Sequence, residues 1–390
     1  MKEGSTVIST YTYNPNGSLE KQDLPNSISA NYTYFKNNKL KTLTNKSYSQ
    51  PLESYQYTYD GAGNMTAKFD VKSVSSNLPT LYTYTPINQL LTVAEPDGKL
   101  TAYTYDNAGN RLSEIVTENS QTTITNYTLN DQNRLMQTEQ VTTAQTIIEQ
   151  YFYDNAGNML GRSPEALTNA TGLTGSLGIS LLGQTEETDL TPALYSYNDK
   201  NQMIEAVNGE SIVTNTFNAE GLRYSKTVDG VTTYYCYEYS RVIKEVDSTG
   251  SVAYNIYGTN LISRDLDGNK AYYIYNGHGD VTGLISSSGT IIASYYYDAF
   301  GNIVEESGNF GNPYRYAGYI YDEQSKLYNL NARFYDAKIA RFMQEDAYLG
   351  SQTDPLSLNL YTYCSNNPVR YSYSRLESRN SASAVRGSQA

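Results

Sequence analysis

The sequence predicts an all-β protein in which antiparallel hairpin repeats form one spiralling β-strip, and three observations carry that expectation. The 390-residue chain has 41 tyrosines, 8 phenylalanines and no tryptophan. A short unit of paired aromatics and a polar turn recurs along most of it. Each turn carries Gly or Asn, the residues that accept a positive φ most readily. With only 17% charged residues, much of the apolar area must come from phenol rings. A buried hydroxyl needs a hydrogen-bond partner, which favours a sheet with polar cross-strand neighbours over an oily helical core.

The unit reads YQYTYDGAGNM at 55–65, AYTYDNAGNRL at 102–112, QYFYDNAGNML at 150–160 and SYYYDAFGNIV at 294–304, with looser copies such as YTYNPNGSL at 11–19 and YTYTPINQL at 82–90. Aligned on the second aromatic position, Tyr13, Tyr34, Tyr59, Tyr84, Tyr105, Leu129 and Tyr153 are spaced by 21, 25, 25, 21, 24 and 24 residues. Period-two alternation puts Tyr57 with Tyr59, and Tyr103 with Tyr105, on one face of a strand. The aspartate that follows can cap a turn, and the glycine suits a three-to-five-residue hairpin loop with a bulge. A return strand then reads RLSEIVTE or MTAKFDVKS. A lone hairpin is barely stable in water, so the units must join side by side into a continuous sheet.

The pattern divides the chain into a first repeat block at 1–160, an inserted Gly/Ser/Leu-rich loop with at most one short helix at 161–194, and a second block at 195–313. A closing segment follows at 314–371, and 372–390, low in apolar residues, reads as a disordered tail. The formal charge of −12 repels phosphate backbones and argues against nucleic acid as a partner. No window is apolar enough to span a membrane. The opening MKEGSTVIST has no apolar run, so it carries no recognisable signal peptide. Cys236 and Cys364 read as buried thiols, and a single histidine excludes a multi-histidine metal site. No cofactor is implied.

The YxYDxxGN units resemble the tyrosine-aspartate repeats of Rhs proteins. The segment YRYAGYIYDEQSKLYNLNARFYDAKIARFMQEDAYLGSQTDPLSLNLYTYCSNNPVRY, at 314–371, resembles the Rhs repeat-associated core that closes such arrays. Its wording is closest to cell-wall-associated polymorphic toxins of Gram-positive bacteria, and teneurins are animal relatives of the same shell. The resemblance implies a hollow β-shell that encloses and helps deliver a C-terminal toxin, in a full-length protein that is secreted or bound to the cell wall. It also implies a truncated piece: the array begins midway, no toxin follows, and RYSYSRLES stands where the family carries its DPxG cleavage element. The implied partners are the chain's own toxin domain and cell-wall or surface glycans.

Two further functions compete with containment. Paired carboxylates can share a proton, polarise a carbonyl and activate water. Asp346 and Asp354, with Arg341 to orient them, are therefore candidates for a single-turnover aspartyl autoprotease cutting near Tyr371, although the missing element argues against activity here. Rungs of outward tyrosines could stack on sugars in a glycan-binding surface protein. The turn aspartates Asp60, Asp106, Asp154 and Asp298 lie on separate hairpins and read as structural rather than as a calcium ladder. His278, in NGHGDVTGL, resembles the family's HxDxxG stretch and reads as turn or rim packing.

Overall fold

The computed structural model describes residues 2–3, 6–70, 78–164 and 192–372. Among these, one 26-stranded antiparallel sheet runs from Thr10–Tyr13 to Ile303–Gly308, with spatial order following chain order. A fold of this kind needs no long crossovers, because each hairpin hands the chain to its neighbour. The all-β strip read from the period is the observed architecture.

The repeat works as its residue types dictate. In Gln50–Tyr59 and Met65–Asp70, Tyr55 and Tyr57 are 2% and 1% exposed, and the register slips at Thr58/Tyr59 where the turn's bulge is absorbed. Gly63, Gly109, Gly157 and Gly301 occupy the positive-φ position of their turns, and in looser copies Asn38, Asn88, Asn133 and Asn201 take it with φ near 60°. Asn is the non-glycine residue that visits this region at least cost. The aspartate accepts from the backbone N–H four residues on: Asn64 to Asp60 at 2.8 Å, Asn110 to Asp106 at 2.8 Å, Asn158 to Asp154 at 2.8 Å and Asn302 to Asp298 at 2.9 Å.

Two cross-repeat ladders explain the remaining letters. The asparagine that ends a turn donates through Nδ2 to the asparagine of the next: Asn64 to Asn88, Asn110 to Asn133 and Asn158 to Asn201, at 2.7–2.9 Å. The second tyrosine of a pair donates to the carbonyl just past the preceding turn, as in Tyr84 to Met65, Tyr105 to Leu90, Tyr197 to Met159 and Tyr275 to Leu261, at 2.6–2.9 Å. This bond is the reason for tyrosine over phenylalanine there. The hydroxyl satisfies a backbone acceptor at the rim of the sheet while the ring packs inward.

The strip curls until its late repeats lie on its early ones. Asn45 Nδ2 donates to the Tyr275 carbonyl at 2.9 Å, the Gly277 N–H to Tyr57 Oη at 2.8 Å, and Thr282 Oγ1 to Glu53 at 2.6 Å. The inner face is filled by the closing segment, which adds a small antiparallel sheet of Ile320–Asp322, Leu327–Asn329, Phe334–Asp336 and Arg341–Phe342. Tyr328, Tyr335, Phe342 and Tyr363 pack there with Tyr273, Tyr295 and Tyr297 of the strip. At this level the wall surrounds its own chain rather than an empty interior.

Two sequence expectations change. Residues 161–164 and 193–194, assigned to the inserted loop, belong to the strands Met159–Pro164 and Ala193–Tyr197, which pair through Gly161 with Leu194 and Arg162 with Ala193. Gly161 permits that approach: a Cβ there would meet the Ala193 carbonyl at 2.6 Å. The rest of that segment, with its short helix, and the tail from residue 373 lie outside the described residues. Cys236 is exposed and Cys364 half-buried, not the buried thiols expected. Alternation in Val231–Glu238 sends Tyr235 inward and therefore Cys236 outward.

Candidate functional site: the closing segment and the chain exit

The strip offers the closing segment a row of turns, and the segment's polar side chains meet their free acceptors. Tyr316, Tyr335 and Tyr328 donate to the carbonyls of Ala299, Phe300 and Gly301, three consecutive residues of one turn, at 2.7–2.9 Å. Burial holds all three phenols well above their usual pKa, so they remain neutral donors. Farther along, Asn359 Nδ2 donates to Asn110 Oδ1 at 2.6 Å, Asn366 Nδ2 to the Gly109 carbonyl at 2.6 Å, and Asn367 Nδ2 to Asn64 Oδ1 at 3.0 Å. The SNNP motif is thus a cap on the asparagine ladder of the early turns.

Buried ion pairs cross the same interface. Asp322, on the closing segment, accepts from Nη1 and Nη2 of Arg223 and from Lys226 Nζ at 3.1 Å, with the Arg223 and Asp322 side chains each 1% exposed. Burial alone would raise the Asp322 pKa, but the two cations outweigh it and hold the carboxyl below its usual range. Arg162 also pairs with Asp336, at 3.1 Å.

The three residues singled out for self-cleavage go to different places. Asp346 Oδ2 is bound at 2.6 Å by Arg333, whose guanidinium also stacks over Phe342, 3.6 Å from the ring centroid. Arg341 is buried and turned away, donating to Asn110 Oδ1 at 3.2 Å and to the Asn133 carbonyl. Asp354 sits exposed at the start of the short turn Pro355–Leu358, its side chain making no capping bond. Among the described residues no hydrogen bond or ion pair links Asp346 to Asp354. Sequence reasoning missed Arg333 as the partner of Asp346, because a ring-stacked arginine thirteen residues upstream carries no local signal.

It read His278 as turn or rim packing and missed its pairing with Asp280 in the turn at 276–280. In the turns that begin with Asp60, Asp106, Asp154 and Asp298 the order is Asp first and Asn last; here it is Asn276 and Asp280. Asn276 Oδ1 takes over the capping, accepting from the His278, Gly279 and Asp280 N–H groups at 2.9–3.1 Å, and Asn276 Nδ2 donates to Asp280 Oδ2 at 2.6 Å. The exchange points a carboxylate inward. Asp280 Oδ1 meets His278 Nδ1 at 2.7 Å and accepts from the Ala317 N–H at 2.9 Å, while His278 Nε2 reaches the Tyr371 carbonyl at 3.1 Å. The inverted turn was the signal in the sequence.

A curled strip of hairpins closed by its own C-terminal segment defines the class: the end of a β-shell. The chain belongs to the Teneurin YD-shell family, whose family model matches residues 54–369. It is 32% identical to the tRNA3(Ser)-specific nuclease WapA of Bacillus spizizenii over 73% of this chain, and 30% identical to the tRNA nuclease WapA of Bacillus subtilis over the same share. It is also 24% identical to human Teneurin-4 over 80% of this chain. The chain spans about a tenth of the length of each of these relatives. A crystal structure of TcdB2-TccC3-TEV superposes with a TM-score of 0.64 at 17% identity, covering 94% of this chain and 19% of that one, which shows a shared fold. The fold is that of a structural wall, and these relatives make it a YD-shell protein of the Rhs type.

Proposed function

We propose that this chain is the closing end of a containment shell, which in its full-length protein encloses a toxin domain that follows it and helps deliver it. The observation that carries the reading is the plug: the closing segment fills the curl, caps the turns of the early repeats and brings Tyr371 to His278. WapA relatives named as nucleases fit a toxic domain attached to such a wall. A secreted or cell-wall-bound setting accompanies that reading.

The test uses the full-length natural protein under limited proteolysis, with and without a denaturant concentration that opens the strip. The domain after the shell should resist cleavage until the strip unfolds. Digestion at the same rate in both conditions would overturn containment. Within this reading the Asp346–Arg333 pair braces the closing segment, and the purified chain keeps its full mass of 43.5 kDa. A fragment ending near 370–374 that vanishes in Asp346→Asn would instead establish self-cleavage.

A further inference from the structure

Both ring nitrogens of His278 face acceptors, a carboxylate on one side and a peptide carbonyl on the other. A neutral imidazole has one N–H, so it can satisfy only one of them; the imidazolium has two and satisfies both. The ring is fixed in this position. Its carboxylate partner is held by Asn276 and the Ala317 N–H, and the Tyr316 ring lies 5.2 Å from it, centroid to centroid. On the far side, Tyr371 is anchored by its own N–H to the Asn367 carbonyl at 3.2 Å, and Arg370 holds the Ala62 carbonyl at 2.8 Å. The histidine therefore bonds the turn at Asn367–Tyr371, the exit end of the closing segment.

We propose that His278 and Asp280 form a proton-gated clasp on the exiting chain, shut while the imidazole carries two protons and slack once it carries one. It stands on the local geometry, whatever the residues beyond Tyr371 and Ser372 encode. The site borders a cavity of about 60 Å³, whose charged groups are Lys68, Asp70, Glu95 and Asp298 besides the pair itself. The phenols around it, Tyr57, Tyr82, Tyr297 and Tyr316, are kept neutral by burial. Burial and Lys68 work against charge on the imidazole, but Asp280 and the Tyr371 carbonyl outweigh them and raise the His278 pKa above 6.5. A raised folded-state pKa means that the clasp's contribution is complete below about pH 6.5 and is lost as pH rises through the pKa of His278 itself. The gate thus opens toward alkaline pH, the reverse of an acid-triggered histidine switch.

His278 is the chain's one histidine, so its imidazole NMR signal reads the titration without assignment. The second readout is hydrogen exchange of peptides covering 368–372 in the full chain, from about pH 5.5 to 9, corrected for intrinsic rates. In the wild type, corrected exchange at the exit should rise roughly tenfold across the imidazole's midpoint, the loss of one charged hydrogen bond. That midpoint should lie above 6.5. Asp280→Asn should lower it, and His278→Gln, whose amide does not titrate, should flatten the exit's pH profile. A control peptide from Leu100–Tyr105 should not respond; if it does in Asp280→Asn, that variant has lost its fold, and the wild type and His278→Gln decide. An exit rate that stays flat through the wild-type titration, or a midpoint at or below 6.5, overturns the clasp.

Discussion

Replacing Asp322 by Asn tests how the closing segment is held. The substitution preserves shape but removes the negative charge from a site where Arg223 is 1% exposed and Lys226 lies 3.1 Å away. Two cations are then left facing each other in a dry interface. Breaking a buried pair from one side costs roughly 3–5 kcal/mol, whereas replacing both members with apolar groups of similar volume is often neutral or stabilising. Against a domain stability of about 5–15 kcal/mol, that loss raises the open population by roughly two to three and a half powers of ten. Urea unfolding of the full chain, followed by near-ultraviolet circular dichroism of its tyrosines, should show Asp322→Asn with a much lower midpoint. The double variant Arg223→Met with Asp322→Leu should recover most of the difference. In wild type the carboxylate's depressed pKa supplies stability that is present above about pH 4 and lost as pH falls through its folded-state value; the Asp322→Asn variant should lack that part of the acid transition. A cost below about 1 kcal/mol for Asp322→Asn, or a double variant no better than the single, would refute an interface held by this buried pair.

Two further pairs of substitutions probe the repeat itself. Tyr105→Phe removes the donor to the Leu90 carbonyl at 2.7 Å and should cost about 1 kcal/mol by denaturant titration, while Tyr254→Phe, whose ring is 51% exposed, should cost nothing measurable. Gly250→Ala and Gly301→Ala both place a side chain at positive φ, +95° and +97°, and each should lose about 1–2 kcal/mol from backbone strain. Only at Gly301 would the new Cβ also strike the Tyr316 ring, 2.7 Å away, so an equal loss at the two positions would contradict the described packing of the closing segment on that turn.

Much of the wall was legible before the structure. Tyr57 and Tyr59 on one face, the aspartate-capped turn, the positive-φ glycine and the bulge all follow from interactions within eleven residues, which a repeating sequence states many times over. The asparagine and tyrosine ladders were half legible: the letters recur, but their partners lie in the adjacent hairpin. The candidate site was read least well. Asp346 was singled out for self-cleavage together with Asp354 and Arg341, but its cation is Arg333, and Arg341 is turned toward Asn110 and Asn133.

The sequence by itself determined the hairpin, its register and its serial pairing, because period-two alternation and turn chemistry act over a few residues. Only the tertiary structure decided that the strip closes on its own C-terminal segment, that Asp322 meets Arg223 ninety-nine positions away, and that His278 grips the carbonyl of Tyr371. Those contacts depend on how far the sheet curls, which is the accumulated twist of 26 strands. No single repeat encodes that sum.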